Sequence, residues 1–344
     1  MGKEVMFAVA GSGKTSTIIG RLSLEQRALI VTYTDNNHRH LQQSIIRKFG
    51  HVPPNITVLT YFVFLYRFCY RPLLELQLDT RGLNFRLPPA YTQMIPRQNM
   101  EYYEDGQGNL FHNRLAKLLQ IKDVVPRVIA RIERFYDQFF VDEVQDFAGH
   151  DFDLLLALIP VRTDILLVGD FYQHTFDTSR DGNTNSTLHN DIHRYEQRFA
   201  RAGVTVDKQT LSRSWRCDAT VCDFIRGHLQ IDIHSHRNEA TGIIPVGSQA
   251  EANALHADPN IVKLFYKEHY KYGCHSYNWG GSKGMDHFQD VCVILSAQNW
   301  KLYQQGSFAG LAAQTRNKLY VACSRARGNL YLAHDKYFKS FKTL

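Results

Sequence analysis

The 344-residue chain has little of what marks several protein classes. It carries six cysteines, Cys69, Cys217, Cys222, Cys274, Cys292 and Cys323, with no C-x-x-C pair and no zinc-finger spacing. That usage argues against a disulfide framework and against structural zinc. Cys292 lies within Val291–Leu295, where a thiol behaves as a small buried hydrophobe, so reduced structural cysteines are expected. No uncharged apolar run approaches the ~18–20 residues of a spanning helix, which argues against an integral helical membrane protein, and no membrane partner is expected. Residues 1–10 lack the basic start and apolar stretch of a signal peptide, so a cytoplasmic location is expected. Internal repeats and low-complexity tracts are also missing, and 44% hydrophobic residues exclude wholesale disorder.

What is present is basic and layered. Forty Lys and Arg against 33 Asp and Glu give a net charge of +7, which favours an anionic partner, nucleic acid first. At ~100–200 residues per domain the length suggests two domains. Short apolar runs at Val5–Val9, Ala28–Thr32, Ile56–Leu59, Phe139–Val141 and Asp164–Val168 alternate with helix-compatible stretches. A second set follows at Gly242–Val246, Val291–Leu295 and Asn329–Ala333, with a helix-like segment Ala312–Cys323 before the last. Strands separated by helices predict an α/β fold with parallel sheets covered on both faces. Residues 72–135, opening at Pro72 and ending in the basic amphipathic stretches Phe111–Gln120 and Val128–Asp137, read as a small helical insertion. Residues 174–190 read as a polar loop, and Asp335–Leu344 as a helix docked by Tyr337, Phe338, Phe341 and Leu344.

The strongest local signal is Ala8-Val9-Ala10-Gly11-Ser12-Gly13-Lys14-Thr15, after a strand and before a helix, the context a P-loop requires. Glycines let backbone N–H groups turn inward around phosphate oxygens, Lys14 reaches the β- and γ-phosphates, and the Thr15 hydroxyl can ligate Mg²⁺. The candidate cradle for ATP comprises Ala10, Gly11, Ser12, Gly13, Lys14, Thr15 and Ser16. About 130 residues downstream, the apolar run Phe139–Val141 ends in Asp142 and Glu143. At a sheet's carboxyl edge Asp142 can hold Mg²⁺ through water, while Glu143 orients or deprotonates an attacking water.

The order of motifs then resembles that of superfamily 1 helicases of the UvrD/Rep type, from residue 5 to about 334. Gly11–Thr15 looks like motif I, Val31–Asp35 like motif Ia, and Thr57–Tyr61 like motif Ib. Asp142-Glu143-Val144-Gln145-Asp146 matches the D-E-x-Q-D of motif II, and Val168–Gln173 is similar to motif III. Leu211–Arg216 resembles motif IV, Ser282–Asp286 motif V, and Leu319–Ala326 the L-Y-V-A-x-T-R-A of motif VI. The resemblance implies two RecA-like P-loop NTPase lobes, 1–200 and 201–344, with ATP and Mg²⁺ between them. It further implies that Gln173 senses the γ-phosphate and that Arg216 and Arg325 act as arginine fingers. Trp215 would stack on adenine, and Gly284 and Asp286 of motif V would border the nucleotide. Thr32, Tyr33, Thr34, Thr60, Tyr61, Phe176 and Trp279 would line the path of a single strand.

Several positions depart from that pattern. The glutamine motif that reads adenine is expected to be missing; Ser16 replaces an arginine, and Asp286 stands where Glu is usual. Motif Ib has Phe62 where His is common, and Asp177–Arg180 replaces the usual F-R-G-A. About 65 residues separate motifs IV and V, leaving no room for the large second accessory domain. The leading expectation is an ATP-dependent translocase or helicase on single-stranded or partly duplex DNA, moving 3′ to 5′ as the resemblance suggests. The alternative is an ATP-gated DNA-binding or sensor subunit that does not unwind alone. Similar short proteins occur beside nucleases in antiviral systems, so a nuclease or other protein subunit is an expected partner. A P-loop kinase or transporter ATPase would leave motifs IV to VI unexplained.

Overall fold

The computed structural model describes residues 2–175 and 181–343. Contacts divide the chain into two compact units that interleave in sequence. Unit 1 holds Met1–Met6, Thr15–Gly169 and Phe176–Asp207; unit 2 holds Phe7–Lys14, Asp170–Thr175 and Lys208–Leu344. Both are α/β units built on parallel sheets, as the alternation of short apolar runs and helices leads one to expect.

Unit 1 is built on β1 (Lys3–Phe7), β2 (Ala28–Thr32), β3 (Ile56–Thr60), β4 (Gly82–Asn84), β5 (Asn109–Phe111), β6 (Gln138–Asp142), β7 (Asp164–Gly169) and β8 (Thr205–Asp207). Its main sheet has the order β3-β2-β6-β7-β1-β8, and the pairs β2/β3, β2/β6, β6/β7 and β1/β8 are parallel. All five residues of β2 and of β6 are buried, which is why both read as near-continuous apolar runs rather than as alternation. Parallel pairing brings the ends of β2, β3 and β6, namely Thr32, Thr60 and Asp142, to one sheet edge, where open α/β sheets bind ligands. Between β2 and β3 runs the helix Asp35–Phe49. The Thr34 side chain caps it by accepting from the Asn37 N–H, and Gly50 closes it at φ +81°. From that helix Lys48 Nζ donates to the carbonyls of Ile19 and Leu22, both at 2.7 Å, closing the C-terminal side of the short helix Lys14–Gly20.

The insertion differs from its sequence reading at its start. Helix does not stop at Pro72: after Tyr61–Val63 the chain winds as a π-helix over Phe64–Glu75 and ends with Leu76–Leu78. The wider π turn accommodates a proline, which has no N–H to donate, and Asp79 at φ +48° breaks the helix instead. The amphipathic stretch at 111–120 starts on the last residue of β5, and its helix Leu115–Ile121 buries Leu115, Ala116, Leu118 and Leu119. The second stretch is the helix Val125–Phe135, anchored by buried Val128 and Ile132.

Unit 2 carries β9 (Arg213–Asp218), β10 (His234–Arg237), β11 (Ile243–Val246), β12 (Val262–Phe265), β13 (Ser276–Asn278), β14 (Val291–Leu295) and β15 (Leu330–His334). Its five-stranded sheet has the order β11-β15-β14-β12-β13 and is parallel throughout. The helix Ala313–Cys323 covers one face with Leu319, Tyr320 and Ala322 in the core. The chain's tail docks as expected but as a 3-10 helix, Asp335–Phe341, with Phe338 buried. All six cysteines are unpaired thiols, five of them buried. Among the described residues no helix is long and apolar enough to cross a membrane.

Candidate active site

The turn after β1 is shaped by two glycines in the left-handed region, Gly11 at φ +71° and Gly13 at φ +92°. Gly11 is also required by proximity: a Cβ there would lie 2.6 Å from Arg216 Cβ and 3.0 Å from Ser214 Oγ. This close approach is fixed by the Trp215 N–H, which donates to the Gly11 carbonyl at 2.9 Å, and by Val9 N–H donating to Leu211 O at 3.0 Å. The Ser12 hydroxyl is buried with no hydrogen-bond partner, an orphaned group within the candidate cradle that a phosphate oxygen would satisfy. Lys14 and Thr15 open the following helix half-buried, Ser16 is exposed, and Ala10 is fully buried.

Arg216 in β9 and Arg325 after the helix Ala313–Cys323 converge on one carboxylate. Arg216 Nη2 lies 2.5 Å from Asp286 Oδ1, and Arg325 Nη1 lies 3.1 Å from the same oxygen. Arg216 Nη1 also donates to Ser324 O, and Arg325 donates to Val321 O through Nε and to Met285 O through Nη1. Both guanidiniums are buried, whereas Asp286 is 52% exposed. Burial lowers Arg325 to about 10, with repulsion from Arg216 adding and Asp286 opposing. For Asp286 burial works upward, but Arg216, Arg325 and Lys14 outweigh it and hold the carboxyl below its ordinary value. Two guanidiniums thus share one carboxylate oxygen, with the field of Lys14 added, leaving an excess of positive charge suited to a polyphosphate.

A residue to which sequence reasoning gave no role connects these parts. The Tyr320 hydroxyl accepts from the Ala10 N–H at 2.8 Å and donates to Asp170 Oδ2 at 2.9 Å. Gln173 Nε2 donates to that same Asp170 oxygen at 2.9 Å. Burial first, then Asp170, raises the Tyr320 phenol well above its ordinary value, so it stays a donor. A tyrosine inside the wholly buried run Leu319–Cys323 has to find a polar partner, and that was the available signal.

In unit 1, Asp142 ends β6 buried, and the Thr32 hydroxyl lies 3.5 Å from its Oδ2. Glu143 follows at φ +57°, a left-handed conformation that costs a non-glycine residue ~1–2 kcal/mol. The turn is held by Tyr195, whose hydroxyl donates to Val144 O at 3.1 Å, and by Gln145, whose Nε2 donates to Glu143 Oε2. Only glycine fits beneath it at the end of β7: a Cβ on Gly169 would meet Gln145 Oε1 at 2.3 Å. The donors of Thr15 and Asp142, hydroxyl and carboxylate, are hard oxygens of the kind Mg²⁺ takes.

The nucleic-acid candidates separate into two groups. Thr34 is exposed and Thr60 half-buried at the sheet edge. Thr32, Tyr33 and Tyr61 are buried, which corrects the expectation that they face a strand. Thr32 turns to Asp142, and Tyr33 and Tyr61 stack on each other at 5.5 Å and meet Phe147 edge-on, because the strand ends carry too many rings to leave all of them open. Trp279 is likewise a core residue, fully buried with its indole N–H donating to Leu264 O at 3.0 Å, so it offers no face to a base. Phe176 lies outside the described residues. Trp215 is 62% exposed and stacked on His236 at 3.8 Å, and Gly284 turns at φ +80° beside Asp286. A cavity of about 550 Å³ lined by His256, His269, Cys274 and His275 shares none of these residues. Its imidazoles are engaged by Tyr272 O, Ser276 Oγ and Pro259 O.

No protein-family model and no curated protein matches the chain. Among solved structures it is similar to a PRRSV helicase, with a TM-score of 0.47 and 16% identity over 99% of this chain and 54% of that one. It is also similar to an arterivirus nonstructural protein 10 helicase solved in complex with DNA, with a TM-score of 0.48 and 15% identity over 96% of this chain and 60% of that one. The chain therefore spans little more than half the length of these helicases.

Proposed function

We propose that the chain is an ATP-driven motor on single-stranded or partly duplex DNA, of the UvrD/Rep type, with movement from 3′ to 5′ expected from the motif order alone. The observation that carries this reading is the convergence of Arg216 and Arg325 on Asp286, next to a glycine turn that Tyr320 ties to motif III. The Gly11–Gly13 backbone and Lys14 bind the phosphates. Glu143 takes the proton of the attacking water, and Arg216 and Arg325 stabilise the charge that develops on the transferred group. Asp170 and Gln173, through Tyr320, register whether the loop at Ala10 is engaged. Mg²⁺, where bound by Thr15 and Asp142, supplies charge neutralisation on the phosphates. Trp215 presents an exposed ring for the base, and Thr34 and Thr60 offer hydroxyls to strand phosphates.

The test is steady-state ATPase activity with and without single-stranded DNA, in the wild-type chain, Lys14→Ala and Arg325→Ala. Strong stimulation that disappears in both variants supports the motor. Hydrolysis that no nucleic acid alters would overturn it.

One observation favours the alternative, an ATP-gated sensor subunit working beside a nuclease or another protein, as in antiviral assemblies. Between β9 and β14 unit 2 has only β10 to β13 and one helix of more than four residues after Ala219–Leu229, namely Gln249–Ala257, with no second accessory domain. Movement along a labelled single strand separates the two, since a sensor hydrolyses without stepping.

A further inference from the structure

We infer that the strip from Arg81 to Arg97 is a second single-strand contact, a stacking platform that extends the nucleic-acid path beyond the sheet edge; this rests on the motor reading above. The strip contains three arginines and no acidic residue. Arg81, Arg86 and Arg97 are all exposed, and none forms an ion pair among the described residues. By contrast Arg71, Arg162 and Arg237 on the same molecule are each neutralised by a glutamate. Interleaved with the free arginines are Phe85, Tyr91 and Met94, exposed by 61%, 64% and 83%. Large apolar side chains in open water are ordinary singly and informative in a row, and unpaired guanidiniums between them add phosphate donors. Alternating cations and flat apolar faces without a matching carboxylate are what a strand of stacked bases and phosphates requires.

Two further observations make this a built surface rather than a loose loop. Its inner side is bolted down: Arg114 Nη1 donates to Thr92 Oγ1 at 2.9 Å, and Gln93 Nε2 donates to buried Asp181 at 2.7 Å. It is also continuous with the sheet edge. Phe85 stacks on His112 at 5.2 Å and meets Phe62 edge-on at 5.4 Å, and Phe62 in turn contacts Tyr33 and Tyr61. The aromatic cluster at the ends of β2 and β3 thereby reaches the surface through Phe85, although its inner members are buried.

The experiment measures binding of labelled oligothymidylate and oligouridylate, each in a short and a long form, by fluorescence anisotropy on the full chain. Phe85→Ala with Tyr91→Ala should weaken binding of long strands about tenfold or more, as loss of one or two stacked bases does, and leave short strands unchanged. Arg81→Gln, Arg86→Gln and Arg97→Gln together should lower the salt slope on long strands by about 2, at ~0.7 per single-strand phosphate contact. Basal ATPase should stay at the wild-type value and the melting temperature should change little, since these side chains are mostly exposed and only Phe85 loses ring contacts. Comparing the two sugars shows whether the strand is DNA or RNA. Wild-type affinity in both variants on every strand, or an equal loss on short and long strands, overturns the platform alone. A wild-type chain that binds no strand at all takes down the motor reading and the platform with it.

Discussion

Two buried arginine sites in this molecule are built on opposite principles. In unit 1, Arg114 is fully buried against a fully buried Asp181, which also accepts from Tyr102 Oη and Gln93. Arg114 lies over the Tyr102 ring at 3.8 Å, and its remaining donors reach Thr92 and the Tyr102 carbonyl. Every charge there is met. In unit 2, Arg216 and Arg325 share a single oxygen of a half-exposed carboxylate, with Lys14 acting on it as well. Saturation marks a joint of the architecture, and a shortage of negative charge marks a place where an anion is to be handled.

The comparison breaks most sharply at the second site. Arg325→Ala should reduce kcat by ~10³-fold or more, the scale of an arginine finger, with no loss of nucleotide binding that would explain it; single-turnover hydrolysis checks this. Arg114→Met should do the reverse, costing ~3–5 kcal/mol of stability because Asp181 is left buried without its partner, while activity per folded molecule is retained. Urea unfolding of the full chain, followed by specific activity on the folded fraction, measures both halves. Asp286→Asn tests whether the shared carboxylate positions the arginines or merely neutralises them. If it positions them, kcat falls roughly 10–100-fold while KM also falls, because the cationic excess grows as the guanidiniums lose their fixed placement. A drop in KM with kcat unchanged would reduce Asp286 to a counter-ion.

The smallest effect concerns pH at the saturated site. His150 sits 3.8 Å from Asp181 and 4.0 Å from Asp153. Burial depresses its imidazole below the ordinary value, with Asp181 pulling the other way. The unfolded chain then binds the extra proton first, so stability should decline as pH falls from about 6.5 towards the folded value. His150→Leu should flatten that part of the profile, and thermal melts between pH 5 and 7 report it.

Much of the fold was legible because parallel strands buried on both faces are written as plain apolar runs. Ala28–Thr32 and Val291–Leu295 are strands with those same bounds, and the Gly11–Lys14 turn lies after β1 where its spacing put it. What escaped was set by partners far away in sequence. Asp181 meets an arginine 67 residues earlier, so the loop read only as polar is pinned to the insertion through it. Proline at 72 signals a break for an α-helix, and nothing local announces a π turn. The rings at Tyr61 and Trp279 look alike in sequence whether they face a strand or fill a core, and only the packing of Phe147 and Leu264 against them decides.

The Tyr320 phenol has a practical consequence for watching this protein at work. One oxygen accepts from the Ala10 N–H in the glycine turn and donates towards Asp170, so any rearrangement of either neighbour must alter the electron density at a single ring. A fluorine placed on that ring would act as a spectroscopic sentinel, reporting loop engagement by its resonance without a label on nucleotide or strand. Tyr320→Phe, which deletes the one oxygen and keeps the buried ring, would give the matching silent control.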